Sequence, residues 1–338
     1  MGLKESRADQ MKVPSNKLYF RRAYHAGSWY EDETHALNQT LERFLISANA
    51  NIEPVQQEKI PRGIISPHAG FRYSGPTAAY GFQSLKEAFI KRNSPMIVIV
   101  LHPSHHVYLD RCAVSGATSI QTPLGDIPVN NSIREELLQT GEFTIMTKET
   151  DEKEHSGEMQ YPFIQKVFLD AKESLGNDCN LSLQVLPIMV GAIETEQEQN
   201  FGKLLSPILA RSDVFTVVSS DFCHWGRRFG YAPTHPPDQL NVTQSFKEIH
   251  EYIEWMDHLG MDHIASQQPG AFASYIRTYQ NTICGRHNIA VYLHALQESK
   301  SNGLENVEIS FVKYAQSSQV KHPEESSVSY ASAVIRKI

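Results

Sequence analysis

The chain of 338 residues carries 41% hydrophobic and 20% charged side chains, a globular composition with enough apolar material for a large core. Its formal net charge is -7, its pI is about 6.1 and no long basic stripe is visible, which excludes nucleic acid as a principal partner. No apolar run approaches the roughly 18 to 20 residues needed to span a bilayer, so no membrane span is expected.

Residues 1–18 are polar without an apolar core, and a disordered tail is expected there, not a secretory leader. Gly2 and Ser6 fit a myristoylation pattern, but so short a pattern arises easily by chance, and an ordinary tail is the preferred reading. Leu37, Leu41, Phe44 and Leu45 share one face of a helix. Gly63-Ile64-Ile65 has the size of a buried strand. Phe82, Leu85 and Phe89 mark a second helix. Met96 to Leu101 is the clearest strand, continuous and rich in β-branched residues, and expects burial on both faces. Residues 158–175 read as helix, and Val185 to Val190 and Val214 to Val218 as buried strands. Phe246, Ile249, Ile253 and Met256 form a helix stripe for which Gly260 is the expected stop. Ile289 to Leu296 reads as helix, and Val307 to Tyr314 and Val328 to Ile335 as strands. The polar intervals Asn49 to Gln57 and Thr147 to Glu158 read as loops. No linker or internal repeat divides the chain.

Strands alternating with helices predict an α/β fold in a single domain over residues 19–338. Its central sheet should be mainly parallel or mixed and covered by helices on both faces. In such sheets ligands sit beyond the carboxyl ends of the strands. Those ends are rich in histidine. Ser66-Pro67-His68 follows one strand, Pro103-Ser104-His105-His106 another, and Ser219-Ser220-Asp221-Phe222-Cys223-His224 a third. Asn281 to His287 stands before a helix and adds Cys284. Its Gly285 and Arg286 suggest an anion site at that helix's N-terminus. The four cysteines are scattered, with no CxxC pattern, and reduced thiols in the cytosol are the natural inference.

Imidazole is the commonest side-chain metal ligand, and a thiolate selects copper, zinc or iron over magnesium or calcium. His68, His105 and Cys284 can therefore supply three metal ligands and leave positions open. Asp221 can add a fourth or orient a histidine, and His224 is placed as a catalytic acid or base. The plainer alternatives stay open at this point. Strand-end histidines often only hydrogen-bond in loops, and free cysteines are commonly buried as small hydrophobes. His25 to Tyr30 reads as a core anchor more readily than a pocket wall. Glu154-His155-Ser156-Gly157-Glu158 reads as helix capping by Ser156 more readily than as catalytic. Tyr314 to Ser318 is placed to line the same cleft.

Ten segments, in order, resemble the Memo family, the mediator of receptor-driven cell motility and its relatives. They are HAGSWY from His25, SPHAGFRYSG from Ser66, PSHH from Pro103, TPLGD from Thr122, DEKEHSGEMQYPF from Asp151, LPIMVG from Leu186, VVSSDFCHWGRRF from Val217, NTICGRH from Asn281, YAQSS from Tyr314 and SVSYAS from Ser327. The resemblance runs from about residue 22 to the C-terminus, and the long polar tail looks like that of the fungal form. It implies a fold similar to the class III extradiol dioxygenases, which hold iron(II) with two histidines and a glutamate. In the family a cysteine takes the third place, which assigns the ligands to His68, His105 and Cys284 and puts ring cleavage in doubt.

The implied function is a redox protein that binds iron(II) or copper and acts in cell motility or invasive growth. It would work with protein partners still to be identified, in the cytoplasm, with the nucleus also open to it. The phosphotyrosine receptor peptides described for animal members are not carried over, because a fungus lacks such receptors. Two other functions compete. One is a metal-dependent dioxygenase or hydrolase acting on a small molecule. The other is a metal-free module that uses the enzyme cleft as a peptide groove.

Overall fold

The computed structural model describes residues 18–50, 59–240, 242, 244–301 and 306–338. The tail expected over residues 1–18, apart from its last residue, and most of the polar interval from Asn49 to Gln57 lie outside the described residues.

The first half of the chain runs β1 (Tyr19–Arg21), α1 (Thr34–Asn49), β2 (Pro61–Ser66), α2 (Phe71–Arg92), β3 (Met96–Pro103), β4 (Cys112–Val114), β5 (Ala117–Ile120), β6 (Ile127–Pro128), α3 (Asn131–Gln139) and β7 (Thr144–Ile145). Then come α4 (Lys148–Lys153), α5 (His155–Glu158), α6 (Tyr161–Leu175), β8 (Leu183–Val190), α7 (Thr195–Leu209), β9 (Val214–Ser219) and β10 (His224–Trp225). The chain closes with α8 (Ile249–Ala265), α9 (Pro269–Tyr279), α10 (Arg286–Ser301), β11 (Val307–Gln316) and β12 (Ser327–Lys337).

The main sheet orders its strands β10-β12-β2-β9-β3-β8-β4-β7, with β11 also paired to β12, and β1, β5 and β6 form a small second sheet. Strands β2, β9, β3 and β8 are mutually parallel, while β12 and β4 flank them antiparallel. The sheet is mixed, as the alternation predicts. Every residue of β2, β3 and β9 is buried, which explains the near-continuous apolar runs of β3 and β9. Neighbouring residues of β2 show what covers the two faces. A Cβ on Gly63 would meet Tyr292 of α10, whereas Ile64 lies against Gly81 of α2. Successive side chains point to opposite faces of a strand, so α2 and α10 cover opposite faces. One buried apolar cluster extends from Tyr30 to Ile335.

Three expectations need correcting. The interval from Thr147 to Glu158 is not a loop but two short helices, α4 and α5. Their polar character hid them, because Asp151, Glu152, Glu154 and Glu158 are buried against polar partners instead of solvent. The helix expected over residues 158–175 is broken at Met159 and Gln160. Gly260 does not stop α8. It lies inside the helix, where a Cβ would stand 2.8 Å from the Tyr275 ring, so glycine serves the close approach of α9.

Candidate metal centre

The parallel core places three loops on one edge. Ser66 pairs with Ser219, and Leu101 with Val218, so β2, β9 and β3 end side by side. His68, His105 and Asp221 each stand two residues past their strand, and Cys284 stands two residues before α10. His68, His105 and Cys284 come together, with one ligand atom from each lying within 4.8 Å of the others. His68 Nε2 is 3.1 Å from Cys284 Sγ, and the two imidazole rings are 5.2 Å apart in an edge-on arrangement.

The hydrogen bonds behind the rings settle their tautomers. Ser219 Oγ donates to the carbonyl of Ser156 at 2.7 Å and accepts from Gln160 Nε2 at 3.0 Å. Its proton is therefore committed, so at 2.8 Å His68 Nδ1 must be the donor. That leaves the Nε2 lone pair of His68 facing the sulfur. Burial, helped by the neighbouring His105 and His155, holds the His68 pKa well below its ordinary value.

His105 is held by Glu154. Nδ1 lies 2.8 Å from Oε1, and the His105 backbone N–H donates to Oε2 at 2.6 Å. Ser156 N–H donates to the same Oε1 at 3.0 Å. Ser156 thus joins both arms, its N–H on the His105 tether and its carbonyl on the His68 tether. Burial opposes charge on Glu154, but the hydrogen bond and charge of His105 outweigh it and hold the carboxyl well below the usual range. Burial likewise opposes the His105 cation, yet contacts with Cys284 and Glu154 hold its pKa up to about 10. At the sulfur the balance runs the other way: burial pushes the Cys284 thiol up and His105 offsets only part of that.

Cys284 is set by backbone. Asp221 N–H points to its sulfur at 3.3 Å, and Gly285 N–H donates to Ser220 Oγ at 3.1 Å. That second bond corrects the expected anion site, since the Gly285 amide is already committed. The Asp221 carboxyl, only 3% exposed, accepts the His68 backbone N–H at 2.8 Å. It supports the His68 loop instead of joining the ligand group, which leaves out Asp221. Burial raises its pKa. His224 Nδ1 lies 2.9 Å from the Phe222 carbonyl and 3.2 Å from the Thr282 carbonyl, so it donates there and presents Nε2 as the free nitrogen. Tyr314 does not line the cleft. It donates to Asp257 at 2.8 Å, beneath the Cys284 loop.

The segment from Glu154 to Glu158 contributes more than capping. Glu154, not Ser156, caps α5, and the same carboxylate grips His105. The His155 ring stacks on His105 at 4.5 Å and meets Trp29 at 4.4 Å. Trp29, 37% exposed, completes a wall of rings with His155, while His25 and Tyr30 of the same segment are buried, as expected of a core anchor. Burial, reinforced by His105, pulls the His155 pKa down to about 3, and the ring is neutral at ordinary pH. Behind this wall Glu158 accepts from Arg21 at 2.7 Å, Tyr30 at 2.8 Å and the His25 backbone at 2.7 Å. Arg21 also binds Asp151 at 2.7 Å. These buried carboxylates and their partners escape a search for apolar periodicity. The acid-histidine juxtaposition at Glu154-His155 is the one signal of them in the sequence.

The donor set fits a soft or borderline transition metal. Two imidazoles and a cysteine sulfur converge, and each imidazole is oriented by an acceptor on its far nitrogen. A carboxylate-only site for magnesium or calcium would look different.

Residues 21–334 match the profile of a family described as Memo-like protein. Protein MEMO1 of Homo sapiens is 40% identical over 321 residues, covering 95% of this chain and 99% of that protein. The Xenopus laevis protein of the same name is 41% identical over the same shares. The protein memo-1 homolog of Caenorhabditis elegans is 36% identical over 315 residues, covering 93% of this chain and 82% of its own. Among solved structures, an uncharacterized protein of Escherichia coli K12 aligns with a TM-score of 0.45 at 11% identity, over 80% of this chain and 98% of that one.

Proposed function

Because this chain belongs to the Memo-like protein family, we propose that it is a redox protein that takes iron(II) or copper at His68, His105 and Cys284. The observation that carries this reading is the pair of imidazoles whose Nδ1 atoms are committed to Ser219 and Glu154, leaving Nε2 of each for the space beside Cys284 Sγ. The metal would supply one-electron or Lewis-acid chemistry at the positions three protein ligands leave open. The chain's own residues do the rest. Ser219 and Glu154 orient the ligands, and the His155 ring covers one face of His105. His224 holds a free Nε2 that takes or gives a proton at the rim, while Asp221 supports the His68 loop.

A ring-cleaving dioxygenase draws less support. The third atom that meets His68 and His105 is the Cys284 sulfur and not a carboxylate oxygen, while Glu154 is engaged from behind by His105 and Ser156. The family resemblance supports a cellular role in motility or invasive-growth signalling through protein partners, and the scattered cysteines a cytoplasmic setting. Among the described residues no helix is long and apolar enough to cross a membrane.

The test is an anaerobic titration with iron(II) and with copper, comparing the unaltered chain with Cys284→Ser. One metal per chain is expected, with affinity at least about tenfold weaker in the variant. Failure of the unaltered chain to bind either metal, or equal affinity in the two proteins, overturns the reading.

A further inference from the structure

Beneath the cysteine arm lies a buried acid that the proposed function does not use. Asp257 sits in the middle of α8 and is 0% exposed. Its Oδ1 accepts from Asn281 Nδ2 at 2.9 Å and from the Cys223 backbone N–H at 3.3 Å. Its Oδ2 accepts from the Tyr314 hydroxyl at 2.8 Å. These partners are neutral, and burial raises the carboxyl's pKa. An acid placed this deep without a cationic partner is costly, so what it organises matters.

One oxygen gathers two loops. Cys223 lies between Asp221, whose amide points at the Cys284 sulfur, and His224. Asn281 lies three residues before Cys284. Both of its amide hydrogens are spent, one on Asp257 and one on Tyr275 Oη at 2.7 Å, which leaves its side chain little freedom. The two loops are also joined directly. His224 N–H donates to Thr282 Oγ1 at 2.7 Å, and that hydroxyl donates back to the His224 carbonyl at 3.0 Å. The position of Cys284 relative to Asp221 is thus set by a shared anchor on a long helix.

We infer that Asp257 is a positioning residue for the thiolate arm, fixing where Cys284 Sγ stands relative to His68 and His105 through Asn281 and the Cys223 amide. The inference rests on the metal reading above. Asp257 touches none of the three proposed ligands, so its effect must travel through the loops.

Cobalt(II) is the probe, because sulfur coordination gives an intense thiolate-to-metal absorption band that reports the ligand's geometry. The full chain, Asp257→Asn, Asn281→Leu and Tyr314→Phe are each titrated with cobalt(II). The first two variants are expected to lose about tenfold in affinity and to show a weakened or displaced thiolate band. Tyr314→Phe removes a partner of the same carboxyl on the strand side, and should leave both unchanged. Asn281→Leu answers the question if Asp257→Asn does not fold. A band and affinity like those of the unaltered chain in the folded variants overturn the inference alone. So does an equal change in Tyr314→Phe, which would mark a general packing role. A missing thiolate band in the unaltered chain overturns the metal reading and this inference together.

Discussion

His105 is gripped by an anion, whereas the Cys284 loop hangs on neutral hydrogen bonds. On the histidine side Glu154 is held charged despite its burial, and behind it Arg21 bridges Asp151 and Glu158. Away from His105, Asp221 under the His68 loop and Asp257 under the Cys284 loop are buried acids whose pKa values are raised, and both accept from backbone amides or other neutral donors. The two designs respond differently to change. A charged tether holds its geometry while both charges remain, but losing one member strands the other in a medium that solvates it poorly. A neutral anchor loses its contacts one at a time, at roughly 1 kcal/mol each.

The largest expected difference is in stability. Arg21→Met strands two buried carboxylates and should cost about 3 to 5 kcal/mol in urea unfolding. Tyr314→Phe on the other side should cost about 1 kcal/mol. Similar losses in the two variants would break the comparison.

Acid separates the two sides next. Burial opposes the Glu158 charge, but Arg21 and His25 hold its pKa down from 4.5 to about 2. A carboxyl depressed by folding stabilises above its unfolded value and loses that contribution as pH falls toward its folded value. Some 3 kcal/mol should disappear as pH falls from 4.5 to about 2. Asp257 has the opposite sign. Its pKa is raised, so its contribution is present at low pH and is lost as pH rises through the folded value. Urea unfolding as a function of pH should show Glu158→Gln with a shallower acid-side loss. Asp257→Asn should show a shallower decline on the rising side. An unchanged acid slope in Glu158→Gln would remove the ionic half of the contrast.

Metal affinity offers a smaller effect. Glu154→Gln keeps the shape of the His105 tether but removes its charge, and should weaken iron(II) binding by about 10- to 100-fold in an anaerobic titration. No change would mean that His105 needs no anion behind it. Smaller still, His224→Ala should alter affinity by less than about threefold, since its ring is anchored to carbonyls outside the ligand group. A metal-dependent reaction, once assayed, should fall by about 100-fold if His224 moves the proton. A large loss of affinity in His224→Ala would place it among the ligands.

The sequence made the sheet legible wherever burial was apolar. The runs Met96 to Leu101 and Val214 to Val218 announced β3 and β9, and the alternation placed His68 and His105 at one edge. What stayed hidden was burial by polar pairing. Nothing in the spacing of Asp151, Glu154 and Glu158 marks them as core, because their partners Arg21, His25 and His105 lie far away in the chain. Ser219 was visible only as part of a strand-end loop, yet it fixes the tautomer of His68. Gly260 was misread for a related reason. A glycine inside a helix stripe resembles a stop until the Tyr275 ring against it is known. Cys284 could be proposed from type and position, but its meeting with His68 depends on loops that no local pattern encodes.

The central claim is that sulfur and two imidazoles bind one metal, and X-ray absorption at the metal edge of the loaded full chain tests it most directly. The account predicts a single sulfur scatterer at about 2.3 Å and two nitrogen scatterers at about 2.0 to 2.1 Å, by analogy with zinc sites. The sulfur should vanish in Cys284→Ser. A shell of nitrogen and oxygen alone in the unaltered chain would contradict it.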